Sequence, residues 1–497
     1  MDIIKPLEEK ARLSPDKTAI IFRDNPITYK QLWDYACQFS DSLVKLGVQR
    51  GDKVAIYLPN CPEYIYSYIA IWSIYGTAVP LDFMLTEEEL VSCLAHSEAK
   101  ILITKHKANI SFNSLKEKCP QLKEIIVCGN EEPETVSFAK LLAEGKINLP
   151  QRHVRPREYA IIFYTSGTTG KPKGVLINYL QLGAPPMSMD FFVDLNQNDI
   201  VLCALPFSHL GGLIYIQNTI CFGLTLVLME RFIPSEFLKN IERYKVSCFW
   251  IVPSMYYAFL QLKEFETFDL SSLRWMVTFG ASNSADALRR FHQFCPKAHL
   301  LNGWGLTETN APTTVLPMGS DKIESVGRAA PWIQVKIFGD NDQELPQGAV
   351  GEIVVNSWVV TDGYYKDPKT TAETIRNGWF HTGDLGKFDV EGHLYIVGRK
   401  KEMIKVAGEI VFEPEVEAAL HKHPGVAEAA VVGVPDKLRG EVPKAFIVAK
   451  DKISEEDIRS FCRQHLAHFK IPHYFEFVES LPKNRTGKID KEILRKA

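Results

Sequence analysis

No Cys-x-x-Cys pair occurs in this chain, although it holds ten cysteines in 497 residues. That spacing argues against a zinc ribbon and against a disulfide-stapled secreted scaffold, so free thiols in a reducing, cytoplasmic setting are the expectation. Excess charge of either sign is missing too. With 57 basic against 60 acidic residues, the chain carries no electrostatic footprint for nucleic acid. The opening Met-Asp-Ile-Ile-Lys-Pro lacks a basic stretch leading into an apolar core, so no signal peptide is expected. Two apolar stretches are each interrupted. Residues 64–81 are bounded by Glu63 and contain Gly76 and Pro80 before Asp82, and 201–229 are broken by Pro206, His209, Gly211, Gly212, Gln217 and Asn218. They read as buried strand and helix pieces, leaving at most a peripheral membrane contact. No repeat period or low-complexity tract is visible.

What is present is apolar content, 46% of the residues, in a chain too long for one core, so two or more domains are expected. Residues 18–22 read as a strand. Thr28 then caps a helix whose Leu32, Ala36, Phe39, Leu43 and Leu46 recur at spacings of four and three, with Gly47 as its stop. Residues 54–58 follow as a buried strand, Asn60 and Pro62 open a second helix, and 101–104 and 124–127 are further strands. This alternation predicts the α/β class with parallel sheets. A polar stretch, 129–156, reads as a surface excursion. Beyond 401 the texture changes: an acidic helix start at 414–417, strands at 426–434, 445–448 and 473–478, and a helix from Ser454 predict a compact α+β unit.

One segment makes a specific chemical demand. Tyr164-Thr165-Ser166-Gly167-Thr168-Thr169-Gly170-Lys171-Pro172-Lys173-Gly174 packs four aliphatic hydroxyls, three glycines and two lysines into eleven residues after a buried apolar strand. Glycines let backbone N–H groups close on an anion, and hydroxyls and an ammonium add donors, which suits phosphate. A plain surface turn needs one or two glycines and no such density of hydroxyls. A Walker A loop needs four residues between its glycines and Lys-Ser/Thr after them. Here two residues separate Gly167 from Gly170, and Pro172 follows Lys171.

The segment closely resembles the phosphate loop of the acyl-adenylate-forming (AMP-binding) superfamily, which includes acyl-CoA synthetases, aryl-CoA ligases, luciferases and peptide-synthetase adenylation domains. Six later stretches match that superfamily in order. The resemblance implies that Thr165, Ser166, Gly167, Thr168, Thr169, Gly170 and Lys173 surround the β- and γ-phosphates of ATP. His209, in Leu205-Pro206-Phe207-Ser208-His209, would end a strand and gate the acyl pocket, whereas a lone His there reads as a capped core residue. Gly280, Ala281 and Ser282 would line adenine. In Asn302-Gly303-Trp304-Gly305-Leu306-Thr307-Glu308, Trp304 stands where the superfamily usually has Tyr and would stack on adenine, Thr307 would meet the α-phosphate, and Glu308, with Thr165, would hold Mg²⁺. Asp384, on a glycine-flanked turn, would accept the ribose hydroxyls, with Arg399 beside it. Gly211, Tyr215, Gly303 and Pro312 would join His209 around the acyl group.

The same resemblance implies a division at 1–397 and 402–497, with 398–401 as a hinge centred on Lys401. The smaller domain would be mobile and would carry the adenylating Lys488. After turning, it would present Gly408 to a pantetheine arm. The reaction implied is activation of a carboxylic acid by ATP followed by transfer to CoA, or to a carrier-protein thiol; sequence alone leaves both acceptors, and a homodimer, open. No acidic residue follows His209 where amino-acid-activating relatives place one, so an uncharged tail is expected. Gly211 and Gly212 suggest space rather than a tight aryl slot, hence a medium- or long-chain fatty acid. A nucleotide-sensing scaffold would require a broken active residue, yet Lys488, Glu308 and Asp384 are all present.

Overall fold

A computed structural model describes residues 2–130, 132–147, 149, 155–165, 173–280, 285–310, 312–450, 453–483 and 489–496, with the side chains of 285 and 286 left aside. Strands and helices alternate as expected through the first part of the chain. Thr28 caps helix Tyr29–Lys45 in a reciprocal capping box, its hydroxyl accepting from Gln31 N while Gln31 Oε1 accepts from Thr28 N. Leu32, Ala36, Phe39 and Leu43 are buried on the inner face of that helix, and Gly47 follows at a φ of +82°. The second helix, Pro62–Ser73, is capped by Cys61. Asn60 instead ties together two later segments, at Leu205 and Phe207 and at Met229.

Two large sheets form the bulk of the molecule. The seven-stranded one runs Val136–Ser137, Glu124–Cys128, Ile101–Lys105, Lys53–Tyr57, Thr77–Pro80, Tyr159–Thr165 and Lys173–Asn178, parallel except for the last pair. The nine-stranded one contains a parallel run of Thr225–Leu228, Ile200–Cys203, Cys248–Ile251, Trp275–Thr278 and His299–Trp304. Apolar helices such as Pro62–Ser73 and Leu210–Phe222, buried along nearly their whole length, pack between the sheets. That is the large N-terminal domain of layered α/β units that the sequence led us to expect.

Three elements depart from expectation. The 129–156 stretch is more than a surface excursion. Helix Phe138–Glu144 lays the Phe138 ring 4.3 Å from that of Phe39, and the Leu141 carbonyl accepts from Ser42 Oγ at 2.6 Å. A third sheet, of strands Gln334–Phe338, Gly351–Asn356, Trp379–Phe388, Ile375–Arg376 and Leu394–Arg399, is wholly antiparallel. The small C-terminal domain also opens with an unforeseen hairpin, Met403–Val406 with Glu409–Phe412. Its other strands, Val426–Asp436, Gly440–Ala449 and Tyr474–Phe477, and its helices Glu413–His421 and Glu455–His465 lie close to the expected positions and close over a core of Ile404, Val416, Leu420, Val431, Ile447 and Ile458.

Candidate functional site

Strands Ile200–Cys203, Cys248–Ile251, Trp275–Thr278 and His299–Trp304 are neighbours and parallel, so the chain leaves all four at one edge, the edge where open α/β sheets bind ligands. His209, Phe279, Gly280 and the stretch from Gly305 to Glu308 lie just beyond it. His209 does not end a strand. The strand stops at Cys203, and His209, in an extended conformation, is the cap residue of helix Leu210–Phe222. Pro206 offers no N–H to a ladder, and Asn60 holds the intervening turn, donating to Leu205 O and accepting from Phe207 N. The His209 Nε2 stands 3.5 Å from Asp82 Oδ2.

Gly212 does not supply the expected room, and Gly303 is as tightly filled, whereas Gly211 faces only the end of the Leu205 side chain at 3.3 Å. A Cβ on Gly212 would lie 2.1 Å from Pro206 O, and one on Gly303 2.2 Å from the Phe279 ring. The volume that these residues give up is filled by the chain itself. Gly211 O accepts from Trp250 Nε1 at 2.8 Å, and the Tyr215 ring stacks on the Trp250 ring at 3.6 Å. The Tyr215 hydroxyl is spent on the Trp250 backbone, donating to its carbonyl and accepting from its N–H. Pro312 is buried beside the end of strand His299–Trp304, where Thr313 N donates to Trp304 O. Trp250 and Phe279 were not read from the sequence, where nothing separates them from ordinary core aromatics.

At the other end of the site, Thr165 pairs with Lys173 across the antiparallel strands that flank 166–172. Ser166, Gly167, Thr168, Thr169 and Gly170 lie outside the described residues, as do Ala281, Ser282 and Lys488. Lys173 Nζ stands 5.5 Å above the Tyr364 ring, within cation–π range, and Tyr364 OH donates to Glu308 Oε1 at 3.0 Å. Backbone bonds from Tyr365 N to Gly174 O and from Thr361 N to Glu308 O lock this segment between the hairpin and Glu308. Tyr364 is therefore a site residue that no spacing in the sequence marked. Glu308 keeps part of its surface open, yet its carboxyl is densely surrounded by protein. That desolvation raises its pKa, against the opposing pull of the Tyr364 hydrogen bond and the Arg399 charge. Thr307 opens a single 3₁₀ turn, Thr307–Thr309, with Glu308 at its centre.

Asp384 is not on a turn. It lies inside strand Trp379–Phe388, directly opposite Arg399, after Gly383 at a φ of +71° and across from a register shift between Glu352 and Val354. This bulge aims the carboxylate inward. Asp384 is 4% exposed; its Oδ2 accepts from Trp304 Nε1 at 2.8 Å, and its Oδ1 is 2.7 Å from Arg399 Nε. The Trp304 ring is buried among Ala184, Val326 and Ala330, so indole at this position brings a donor to Asp384. Burial alone would lower the Arg399 pKa, but Asp384 and Glu402 outweigh it and hold the guanidinium charged. Asn302 is buried in register with Thr278, and Gly280 is exposed at a φ of +87°, a conformation that favours glycine.

Between the two domains, Lys400–Glu402 forms one 3₁₀ turn. Lys400 Nζ reaches Asp340 at 3.3 Å and Glu352 at 3.6 Å, whereas Lys401 is exposed. Gly408, at a φ of +94° beside Ala407 at +50°, forms the two-residue turn of the following hairpin, and nothing lies within 4 Å of where its Cβ would be. Among the described residues, no group of three potential metal ligands occurs and no helix is long and apolar enough to cross a membrane.

Residues 7–365 match the AMP-binding enzyme family, and residues 415–488 match the AMP-binding enzyme C-terminal domain. The chain belongs to the AMP-binding enzyme family. A long-chain-fatty-acid–CoA ligase of Bacillus subtilis (strain 168) is 32% identical over 97% of this chain and 92% of its own length. A 2-succinylbenzoate–CoA ligase of Bacillus cereus is 33% identical over 98% of this chain and 97% of its own. Among solved structures, the anthranilate CoA ligase AuaEII in complex with anthranoyl-AMP superposes with a TM-score of 0.94 at 27% identity, covering 100% of this chain and 97% of that one. The o-succinylbenzoate CoA synthetase of Bacillus subtilis with its acyl-adenylate intermediate gives 0.87 at 28% identity, covering 99% and 98%.

Proposed function

We propose that this family member is an AMP-forming acid–thiol ligase, joining a carboxylic acid to CoA through an acyl-adenylate. The observation that carries the reading is the line from Lys173 through Tyr364 to Glu308, which lies four residues along the chain from Trp304 of the Asp384–Arg399–Trp304 group. A phosphate-binding segment thereby adjoins a buried carboxylate suited to ribose hydroxyls.

In the first half-reaction a carboxylate oxygen attacks the α-phosphorus of ATP and pyrophosphate leaves; in the second the CoA thiol displaces AMP from the acyl carbon. Thr165, Lys173 and the residues of 166–170 would steer the departing pyrophosphate, Gly280, Ala281, Ser282 and Trp304 would bound the base, and Thr307 would meet the α-phosphate. Lys488 would bridge the reacting carboxylate and the phosphate. Mg²⁺ fits this site, because the ion usually keeps its waters and takes one or two carboxylates plus substrate phosphates, and Glu308 is an enclosed carboxylate whose ionisation is resisted by its surroundings. Glu308 and Thr165 would hold it, and it would supply charge to the phosphate oxygens. Residues 402–497 would turn about Lys401 and replace Lys488 by the Gly408 turn for the thioester step.

The acid is proposed to have an uncharged tail, given the apolar run Leu213–Ile214 after His209 and Gly211. Room for a long chain is no longer supported by the glycines. The Tyr215–Trp250 pair lies immediately behind Gly211, which favours medium-chain or aryl acids. The test is pyrophosphate release from ATP with a panel of octanoate, benzoate and palmitate, with and without CoA. Acid-dependent release with octanoate or benzoate, and acyl-CoA formed once CoA is added, is the expected result. No acid-dependent release overturns the reading, palmitate as the best acid overturns the pocket argument, and adenylation without acyl-CoA points to a carrier-protein thiol as acceptor.

A further inference from the structure

The residues that follow the Lys488 segment are held by a group of charges gathered around one buried carboxylate. Glu413, at the start of helix Glu413–His421, is 1% exposed. Its carboxylate takes Lys491 Nζ at 2.9 Å and Arg495 Nη2 at 2.9 and 3.2 Å. Lys491 also reaches Glu417 Oε1, one helical turn further on, at 2.7 Å, and that oxygen accepts from Val431 N as well. Buried charges are costly unless paired and hydrogen-bonded, and every member of this group is paired.

Next to the cluster, the residues that flank one short segment are tied together. Lys483 and Ile489, which flank 484–488, form an antiparallel bridge, Asp490 N donates to Pro482 O at 2.8 Å, and Lys483 Nζ is 2.8 Å from Glu428 Oε1. Leu481 and Leu494 sit in one apolar cluster with Ala430, Val432 and Phe446. Glu402, in the turn that joins the two domains, acts electrostatically on Lys491 and Arg495 and also on Arg399. Burial alone would lower the Lys491 pKa, but Glu417, Glu413 and Glu402 together raise it and hold the ammonium charged.

We propose that the Glu413–Lys491–Glu417–Arg495 cluster is a positioning device for the adenylation half-reaction, fixing the segment that carries Lys488 to the helix that begins next to the interdomain turn. The inference rests on the role given to Lys488 above. When the small domain turns, Lys483 and Ile489, the two ends of that segment, would follow helix Glu413–His421 as one body, and the lysine between them would be delivered in one orientation and withdrawn in the other. None of the four charged groups touches substrate; they act through Lys488.

The test uses the full-length protein and separates the half-reactions. Acid-dependent pyrophosphate release without CoA reports adenylation, and acyl-CoA formation from supplied acyl-AMP and CoA reports the second step. Lys491→Met is expected to lower the adenylation kcat by about tenfold to a hundredfold, the usual result of a misplaced reacting group, and to leave the second step within about twofold. Lys491→Arg, which keeps both carboxylates paired, restores most of the loss. Arg495→Met, on the less buried cation, is expected to give the same split in milder form and serves if Lys491→Met does not fold. Equal losses in both steps, or a folded Lys491→Met with normal adenylation, overturn the proposal. Lys488→Ala is measured in parallel, and normal adenylation in that variant overturns the underlying reading instead.

Discussion

Trp304 is where a single residue departs most informatively from the superfamily pattern. Its indole N–H donates to a buried carboxylate, Asp384, whose other oxygen is held by Arg399. The carboxylate is thus oriented before any nucleotide arrives. Trp304→Phe keeps the ring and deletes the donor; loss of a hydrogen bond to a charged buried group costs about 1.5–3 kcal/mol, so the KM for ATP is expected to rise about tenfold or more with the KM for the acid unchanged, as steady-state kinetics would show. Glu308 carries the complementary case. Its folded pKa is raised by desolvation, so its contribution to stability is present below the ordinary carboxylate pKa and lost as pH rises through the raised value. Glu308→Gln is therefore expected to melt at a higher temperature than the parent at about pH 8, with the difference vanishing toward acid. The same change should cost on the order of a hundredfold in adenylation. A melting gain that persists in acid would contradict the assignment. Asp384 and Glu308 could be singled out in the sequence because their neighbours in the chain match a pattern. Tyr364, Trp250 and Phe279 could not, because their partners Glu308, Gly211 and Gly303 are remote in sequence.

At the scale of elements, helices with a polar cap and a regular apolar face were legible, and Tyr29–Lys45 begins at its capping Thr28 as read. Parallel strands, buried on both faces, also announced themselves as apolar runs. The antiparallel sheet bearing Asp384 did not. Its strand Trp379–Phe388 mixes His381, Thr382, Gly383 and Asp384 into the ladder at a bulge, which reads locally as a turn. Helix Leu210–Phe222 shows how a composition can mislead. Gly211 and Gly212 looked like space, but a Cβ on Gly212 would strike the rigid carbonyl of Pro206 at 2.1 Å, whereas one on Gly211 would meet only the end of the Leu205 side chain at 3.3 Å. Gly212→Ala is accordingly expected to destabilise the fold by about 3 kcal/mol, the upper range for overpacking, and Gly211→Ala by less than about 1 kcal/mol. Denaturant melts of the two variants check the contrast.

Across the whole molecule, the two-domain plan was legible as a change in texture near residue 400, and the hinge expected at 398–401 stays a proposal. Arg399 and Lys400 are bound to the large domain through Asp384, Asp340 and Glu352, and the next residue, Lys401, is exposed. Lys400 is itself exposed, and a joint tied to the large domain by such surface ion pairs suits a pivot, since a hinge must absorb backbone rotation without breaking packed contacts. In the proposed reaction sequence, the small domain would exchange the parts it presents at one site between two steps. The most direct measurement follows Lys488→Ala through both half-reactions separately. The expected result is that acid-dependent pyrophosphate release is abolished while acyl-CoA still forms from supplied acyl-AMP and CoA at close to the parent rate. Equal loss of both activities would contradict the exchange.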